Sequence, residues 1–251
     1  MLSTEGFKEF AKDYVLFTHI TTRLDGDRYG NLLSEKGGTG FPYVVAMDAE
    51  GNVLSDLDDR SVDGFRAMMK GAGEYLDLRS RKDPSPADQL KLLGMDLSRG
   101  RIKAAEYREK AGALKGLDEA SVKAREAVLV NLDITAELDK LRNAGGPDPK
   151  LRMAAGKVFG EMHRAGRTPS EKRYVGPFYE VMLDYAEDQK DAELFAAAFG
   201  RLKEAFGDQA RLEPFWKRLE ERLAKIKAEE ELAEKRFLAQ SRNQDVLRKL
   251  K

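Results

Sequence analysis

The sequence predicts an α/β region followed by an all-α region, with the division near Asp83-Pro84-Ser85-Pro86. Short runs rich in β-branched and aromatic residues, separated by glycine-containing turns, lie before this proline pair and are typical of strands. After it, most segments have the apolar spacing of helices. At 251 residues the chain has room for one or two domains. We therefore predict an α/β domain over residues 1–82 and a helical domain over residues 83–251.

The first part of the α/β region is predicted to form a helix, a strand and a second helix. The helices cover Thr4 to Lys12 and Tyr29 to Glu35. The strand covers Val15 to Ile20, because Val-Leu-Phe-Thr-His-Ile is short and rich in the residues that favour strands.

The second part is predicted to form a β-hairpin followed by a helix. Tyr43 to Met47 has the composition of a strand, and the acidic and glycine residues between Asp48 and Asn52 are typical of a tight turn. Val53 to Leu54 should then return antiparallel to the first strand. Ser61 is a good N-cap for a helix that begins at Val62 and ends before Gly71.

This order of elements resembles the thioredoxin fold from the end of its first helix onward. The resemblance rests on Phe41-Pro42 at the entrance to a strand and on Asp48-Ala49-Glu50-Gly51-Asn52-Val53 as the turn between strands, and it covers roughly the first 75 residues. It implies a partial thioredoxin-like βαββα unit. In that family a cis-proline enters the strand, and its neighbouring backbone helps to bind an extended substrate peptide. The resemblance therefore implies a substrate-binding site at Gly40, Phe41 and Pro42.

The sequence departs from the family where the redox chemistry is expected. The family's first strand and its Cys-X-X-Cys helix have no counterpart in the chain, which contains no cysteine. Thiol-disulfide exchange requires a thiolate, so these residues cannot perform it. We expect a redox-inactive chain that is a truncated or degenerate relative of thiol-disulfide oxidoreductases, without catalytic residues of its own.

The absent strand lies, in the family, between the strands that resemble Val15 to Ile20 and Tyr43 to Met47. Unpaired backbone groups are costly when buried, so the sheet needs a substitute. Three explanations stay open: a gene product that begins upstream of Met1, which we favour, a partner chain or second copy that donates the strand, or a rearranged sheet.

The second region is predicted to be an antiparallel helical bundle, because short loops with glycine or proline separate the helices. Alanine and glycine spacing near residues 177–200 suggests tetratricopeptide-like packing, although no 34-residue repeat is sustained. We expect the long charged C-terminal helix to dock through its first half, with a coiled coil as the alternative. The predicted helices are Ala87–Leu93, Arg99–Lys115, Glu119–Leu141, Pro149–Ala165, Glu171–Ala186, Asp191–Phe206 and Glu213–Gln240.

Charge and motifs narrow the classes of function. The 44 basic and 44 acidic residues cancel, so no attraction to nucleic acid is indicated, and no apolar run approaches the roughly 20 residues of a membrane span. The two histidines, His19 and His163, lie far apart in sequence. The acidic residues near Asp56 lack the EF-hand spacing. The glycines at 37–40 lack the lysine of a phosphate-binding loop.

We therefore predict no cofactor and no metal site. The alternative to a thioredoxin relative is a non-enzymatic scaffold that binds a protein or peptide through its helical domain. The lack of cysteine does not identify the compartment, so periplasmic, secreted and cytoplasmic locations all stay open.

Overall fold

The computed structural model describes residues 2–19, 29–38, 40–207 and 210–249. The described residues are 68% helical and contain one small antiparallel sheet of two strands, which agrees with the predicted combination of α/β and helical structure. It divides into two compact units, residues 1–125 and 126–251. None of the described helices has the length and apolar content required to cross a membrane.

The first unit contains both strands. Two of its helices begin at serine caps: the Ser61 hydroxyl accepts from Gly64 N, which confirms that prediction, and Ser85 forms a capping box with Asp88. The elements are α1 (Glu5–Ala11), α2 (Leu32–Glu35), β1 (Val45–Met47), β2 (Val53–Asp56), α3 (Val62–Ser80), α4 (Pro86–Ser98) and α5 (Ala104–Ala113), followed by α6 (Glu119–Arg142), which contains the boundary between the units.

The core of the first unit lies between the sheet and the helices α1 and α3. The ring of Phe7 meets that of Phe65 edge to face at 5.0 Å, and both side chains are buried. The sequence prediction ended α3 before Gly71, but the helix continues to Ser80. A Cβ at Gly71 would stand 3.3 Å from Ser55 Oγ, so the glycine allows α3 to lie close to β2 rather than ending the helix.

Two further predictions for this unit need correction. The predicted strand over Val15 to Ile20 is wrong for residues 15–19, which form neither strand nor helix, while Ile20 lies outside the described residues. Strand-forming side chains need a neighbouring strand, and none of the described strands pairs with this segment. The predicted helix Arg99–Lys115 is also wrong at its start, because Gly100 adopts a left-handed φ of +66° that separates α4 from α5.

The first compact unit extends beyond the proline pair where the sequence predicted a boundary. Leu92 and Met95 of α4 pack against the same core as Phe65 and Tyr75, so α4 belongs with the sheet. The helix α5 packs in turn on α4, and the compact unit extends to Arg125, beyond the predicted boundary at residue 82.

The second unit contains the C-terminal part of α6 and the helices α7 (Pro149–Arg164), α8 (Lys172–Asp188), α9 (Ala192–Phe206) and α10 (Glu213–Lys249), with a short 3₁₀ helix at Ala210–Leu212. The helix α7 packs on α8, and α8 packs on α9. The first part of α10 docks through a buried stripe, as predicted. Buried core side chains include Ile134, Phe159, Phe178, Met182, Phe195, Leu202, Trp216 and Leu219.

Candidate functional site: the two edges of the sheet

A glycine-containing segment leads from α2 into β1. Gly37 has a φ of +84°, a conformation that other residues rarely adopt. A Cβ at Gly38 would lie 2.3 Å from Leu33 Cδ1 and 2.7 Å from Tyr43 Cδ1, so any other residue would force Leu33 and Tyr43 to move. These glycines therefore turn the chain toward Phe41, as the sequence predicted.

The predicted site residues Gly40, Phe41 and Pro42 lie together on the surface at the entrance to β1. All three are exposed, and Phe41 leaves 68% of its surface in solvent. The peptide bond between Phe41 and Pro42 is cis. Pro42 O accepts a 3.4 Å hydrogen bond from Arg60 Nη2. The exposed ring of Phe41 therefore lies next to the first strand, and no described atom would lie within 4 Å of a Cβ at Gly40.

Tyr43 fixes this entrance to the rest of the hairpin. Its hydroxyl donates to Lys36 O at 2.9 Å, and Lys36 Nζ donates to Gly51 O at 2.7 Å. Burial, followed by the negative charge of Asp56 and a hydrogen bond to it, raises the pKa of Tyr43. The phenol therefore stays protonated at neutral pH and remains a donor.

The predicted turn between the strands is confirmed. Asp48 Oδ1 accepts from Asn52 N at 2.7 Å and from Glu50 N at 3.1 Å, and Gly51 has a φ of +78°. The hydrogen bonds from Asn52 lower the pKa of Asp48, since they stabilise its ionised carboxylate. The turn thus holds β1 and β2 in a defined register.

The register leaves main-chain groups of β1 on its outer edge. Leu57 N donates to Val44 O and Asp48 N donates to Asn52 O, so residues 44 and 48 bond toward β2. The register shifts between Ala46, which pairs with Ser55, and Met47, which pairs with Val53, so the extra residue lies on β2. Residues along β1 therefore still alternate, and the main-chain groups of Val45 and Met47 face away from β2. No third strand pairs with β1 in the residues that the structure describes.

The edge of β2 is different, because two arginine side chains donate hydrogen bonds to its carbonyl groups. Arg99 Nε donates to Leu54 O, and Arg101 Nη2 donates to Val53 O at 2.6 Å. We call Arg99 and Arg101 the arginine clamp. Charged side chains that cover an edge strand prevent another strand from pairing there.

Tyr75 holds the arginine clamp in place. Its ring is almost fully buried, with the guanidinium carbons of Arg99 and Arg101 at 4.5 and 4.8 Å from its centre. Its hydroxyl donates to Asp96 Oδ1 at 2.6 Å and accepts from Arg101 Nη1. Burial and Asp96 raise the pKa of Tyr75, while burial lowers that of Arg99. Stacking on an aromatic ring thus accompanies the hydrogen bonds that orient both guanidinium groups.

Sequence reasoning missed the arginine clamp because it assigned Arg99-Gly100-Arg101 to the start of a helix. The available signal was Gly100, which follows the apolar spacing of α4 and ends that helix. No local pattern links these residues to carbonyl groups that lie 45 and 48 residues earlier.

Exposed apolar side chains are concentrated in the N-terminal part of the first unit. Val15, Leu16 and Phe17 are 97%, 61% and 63% exposed, and Tyr29 is 61% exposed. Val15, Leu16 and Phe17 are consecutive, so they form one exposed apolar stretch of the chain.

Other candidate ligands do not come together. Within the described residues, no group of three or more histidine, aspartate or glutamate side chains is arranged to hold a metal ion. The ring of His19 lies against Tyr29, while the ring of His163 lies against Tyr179 in the second unit.

Comparison of the chain with protein-family models, with curated proteins and with solved structures gives no match.

Proposed function

We propose that this chain is a non-enzymatic protein-binding module that takes up an extended segment of a partner polypeptide along the outer edge of β1. The observation that carries this proposal is the difference between the two edges of the sheet. The arginine clamp covers β2, whereas Val45 and Met47 direct main-chain groups away from the hairpin. An added strand gains affinity from main-chain hydrogen bonds, and alternate side chains supply selectivity.

The surroundings of this edge suit an apolar partner strand. Met47 is 36% exposed and Phe41 is 68% exposed, so alternate side chains of the partner could bury part of both. Since the chain as a whole has no net charge, the selectivity of this edge depends on shape and apolar contact rather than on long-range attraction.

We also propose that the first unit is thioredoxin-like, a redox-inactive relative of thiol-disulfide oxidoreductases. The order α2, β1, β2 and α3 and the position of Phe41-Pro42 before β1 support this relationship. The first strand of the expected βαββα unit does not form over residues 15–19. The partner segment would then take the place of the family's absent first strand, with Gly40, Phe41 and Pro42 beside it. Binding through the helical region stays the alternative prediction.

The test uses a fluorescein-labelled peptide of alternating valine and threonine, with binding to the full chain measured by fluorescence anisotropy. Met47→Pro removes a main-chain donor at an edge position, where proline is compatible with a strand. One lost hydrogen bond is worth about 1 kcal/mol, so we expect roughly fivefold weaker binding. Met47→Ala keeps the donor and controls for the loss of the side chain.

Two results would contradict the proposal: no binding of the peptide by the wild-type chain, or equal weakening by Met47→Pro and Met47→Ala. Far-UV circular dichroism and cooperative urea unfolding establish that both variants are folded. If unfolding of the wild-type chain depends on protein concentration, and Met47→Pro removes this dependence, a second copy is the strand donor.

A further inference from the structure

A groove between α1 and α3 forms a second surface of the first unit. Its volume is about 480 Å³. The apolar and aromatic residues that line it are Phe10, Tyr14 and Met69, and we call these three its floor. This surface is distinct from the outer edge of β1, and the inference drawn from it does not depend on the proposed function.

The floor of the groove is supported from below by aromatic packing. The ring of Phe10 lies 5.7 Å from that of Phe65 in the core and 4.8 Å from that of Tyr14. Phe10 is half-buried and Tyr14 is 39% exposed, so part of each residue is accessible to solvent. Half-exposed aromatic side chains on a rigid support, accompanied by an adaptable methionine, are typical of surfaces that bind protein partners.

The two rims of the groove carry opposite charges. Glu9 and Asp13 line the rim formed by α1 and the turn after it, while Arg66 and Lys70 line the rim formed by α3. The residues of each pair are four positions apart. On α3 this spacing places both cations on one face, one helical turn from each other.

These rim charges are available to a partner. Glu9 pairs with Lys12, and Arg66 pairs with Asp63 across 3.1 Å, but all four side chains are mostly exposed. Exposed pairs within one helix contribute only about 0.3 to 0.5 kcal/mol, so they exchange readily. Among the described residues, Asp13 and Lys70 form no salt bridge, and Lys70 acts on Glu74 only through its charge, which helps to lower the pKa of that carboxyl.

We propose that this groove binds an amphipathic α-helix of a partner protein, with a basic flank against Glu9 and Asp13 and an acidic flank against Arg66 and Lys70. Apolar side chains between the flanks would contact Phe10, Tyr14 and Met69. The one-turn spacing of the α3 cations matches the pitch of a helix, and flanking charges select helix partners in the same way in coiled coils. An anionic lipid surface fits less well, since the acidic rim would repel it.

The test compares three synthetic helical peptides with identical leucine spacing. The first carries lysine on one flank and glutamate on the other, the second carries glutamate on both flanks, and the third carries lysine on both. Because a helix can lie in the groove in either direction, the first peptide can always match both rims. We expect the full chain to bind it at least tenfold more tightly than either control, with a difference that shrinks as salt is added.

A double charge reversal makes the test specific to the groove. Arg66→Glu with Lys70→Glu makes both rims acidic, so the preference should move to the peptide with lysine on both flanks. Lys82→Glu with Lys115→Glu changes the net charge equally at exposed positions outside the groove and should leave the preference unchanged. Circular dichroism and cooperative unfolding establish that both variants are folded.

Three results would overturn the inference. The first is equal binding of the three peptides by the wild-type chain. The second is an unchanged preference in the Arg66→Glu, Lys70→Glu variant. The third is a dimer of the wild-type chain, detected by light scattering, that this variant abolishes, since the groove would then hold a second copy rather than a partner helix.

Discussion

Tyr75→Phe is the most direct test of how the arginine clamp is held. The substitution keeps the buried ring beneath Arg99 and Arg101 but removes the hydroxyl. Asp96 then loses a 2.6 Å hydrogen bond, and Arg101 Nη1 loses its acceptor. A hydrogen bond to a charged group contributes about 1.5 to 3 kcal/mol. Both charged groups are only partly buried, so water replaces some of this, and we expect a loss of about 2 kcal/mol in the free energy of unfolding.

Equilibrium unfolding in urea at neutral pH, followed by far-UV circular dichroism, measures this loss. For a chain of this size, about 2 kcal/mol corresponds to a decrease of roughly 4 to 8 °C in Tm. Tyr14→Phe is the matched control, because the Tyr14 hydroxyl forms no hydrogen bond with a described residue, and its effect should stay within about 0.5 kcal/mol. If Tyr75→Phe is as stable as Tyr14→Phe, the hydroxyl does not hold the arginine clamp.

Two further predictions concern the second unit. A Cβ at Gly156 would lie 2.4 Å from Tyr185 Cβ, so Gly156→Ala should lower the free energy of unfolding by about 1 to 3 kcal/mol. At Gly200 no described atom lies within 4 Å of an added Cβ, so Gly200→Ala should raise the free energy of unfolding by about 0.5 to 1 kcal/mol, because alanine favours a helix more than glycine does. Urea unfolding of both variants measures this difference in sign. Burial lowers the pKa of His163 below its ordinary value of 6.5, and its Nδ1 is buried without a hydrogen-bond partner among the described residues. His163 therefore binds a proton more tightly in the unfolded chain than in the folded one. The free energy of unfolding should keep its full value above pH 6.5 and decrease as the pH falls below 6.5. His163→Gln should flatten this part of the stability curve, and parallel curves for the two proteins would contradict the assignment.

Several features of the fold were predictable because short-range interactions determine them. Asp48 and Gly51 predicted the turn of the hairpin, where the carboxylate accepts from main-chain N–H groups within four residues. Ser61 predicted the start of α3 in the same way. The position of Gly40, Phe41 and Pro42 at the entrance of β1 was also predictable, since these residues shortly precede that strand in the chain.

Predictions failed where the outcome depends on distant partners. Val15 to Phe17 has the composition of a strand, but such a segment becomes a strand only when another strand pairs with it. Gly71 resembled a helix end, yet its role is to let α3 approach Ser55 on β2. The helix Arg99–Lys115 was predicted from apolar spacing that did not take account of the left-handed Gly100.

The sequence by itself determined that these residues cannot perform thiol chemistry, since a chain without cysteine has no thiolate. It also determined most helices and the hairpin, through local spacing and capping. Only the tertiary structure decided which edge of the sheet is covered and where a groove forms. The arginine clamp joins Arg101 to Val53 across 48 residues, and the groove joins α1 to α3. Such contacts depend on how packed elements meet in space, and local sequence patterns do not encode that arrangement.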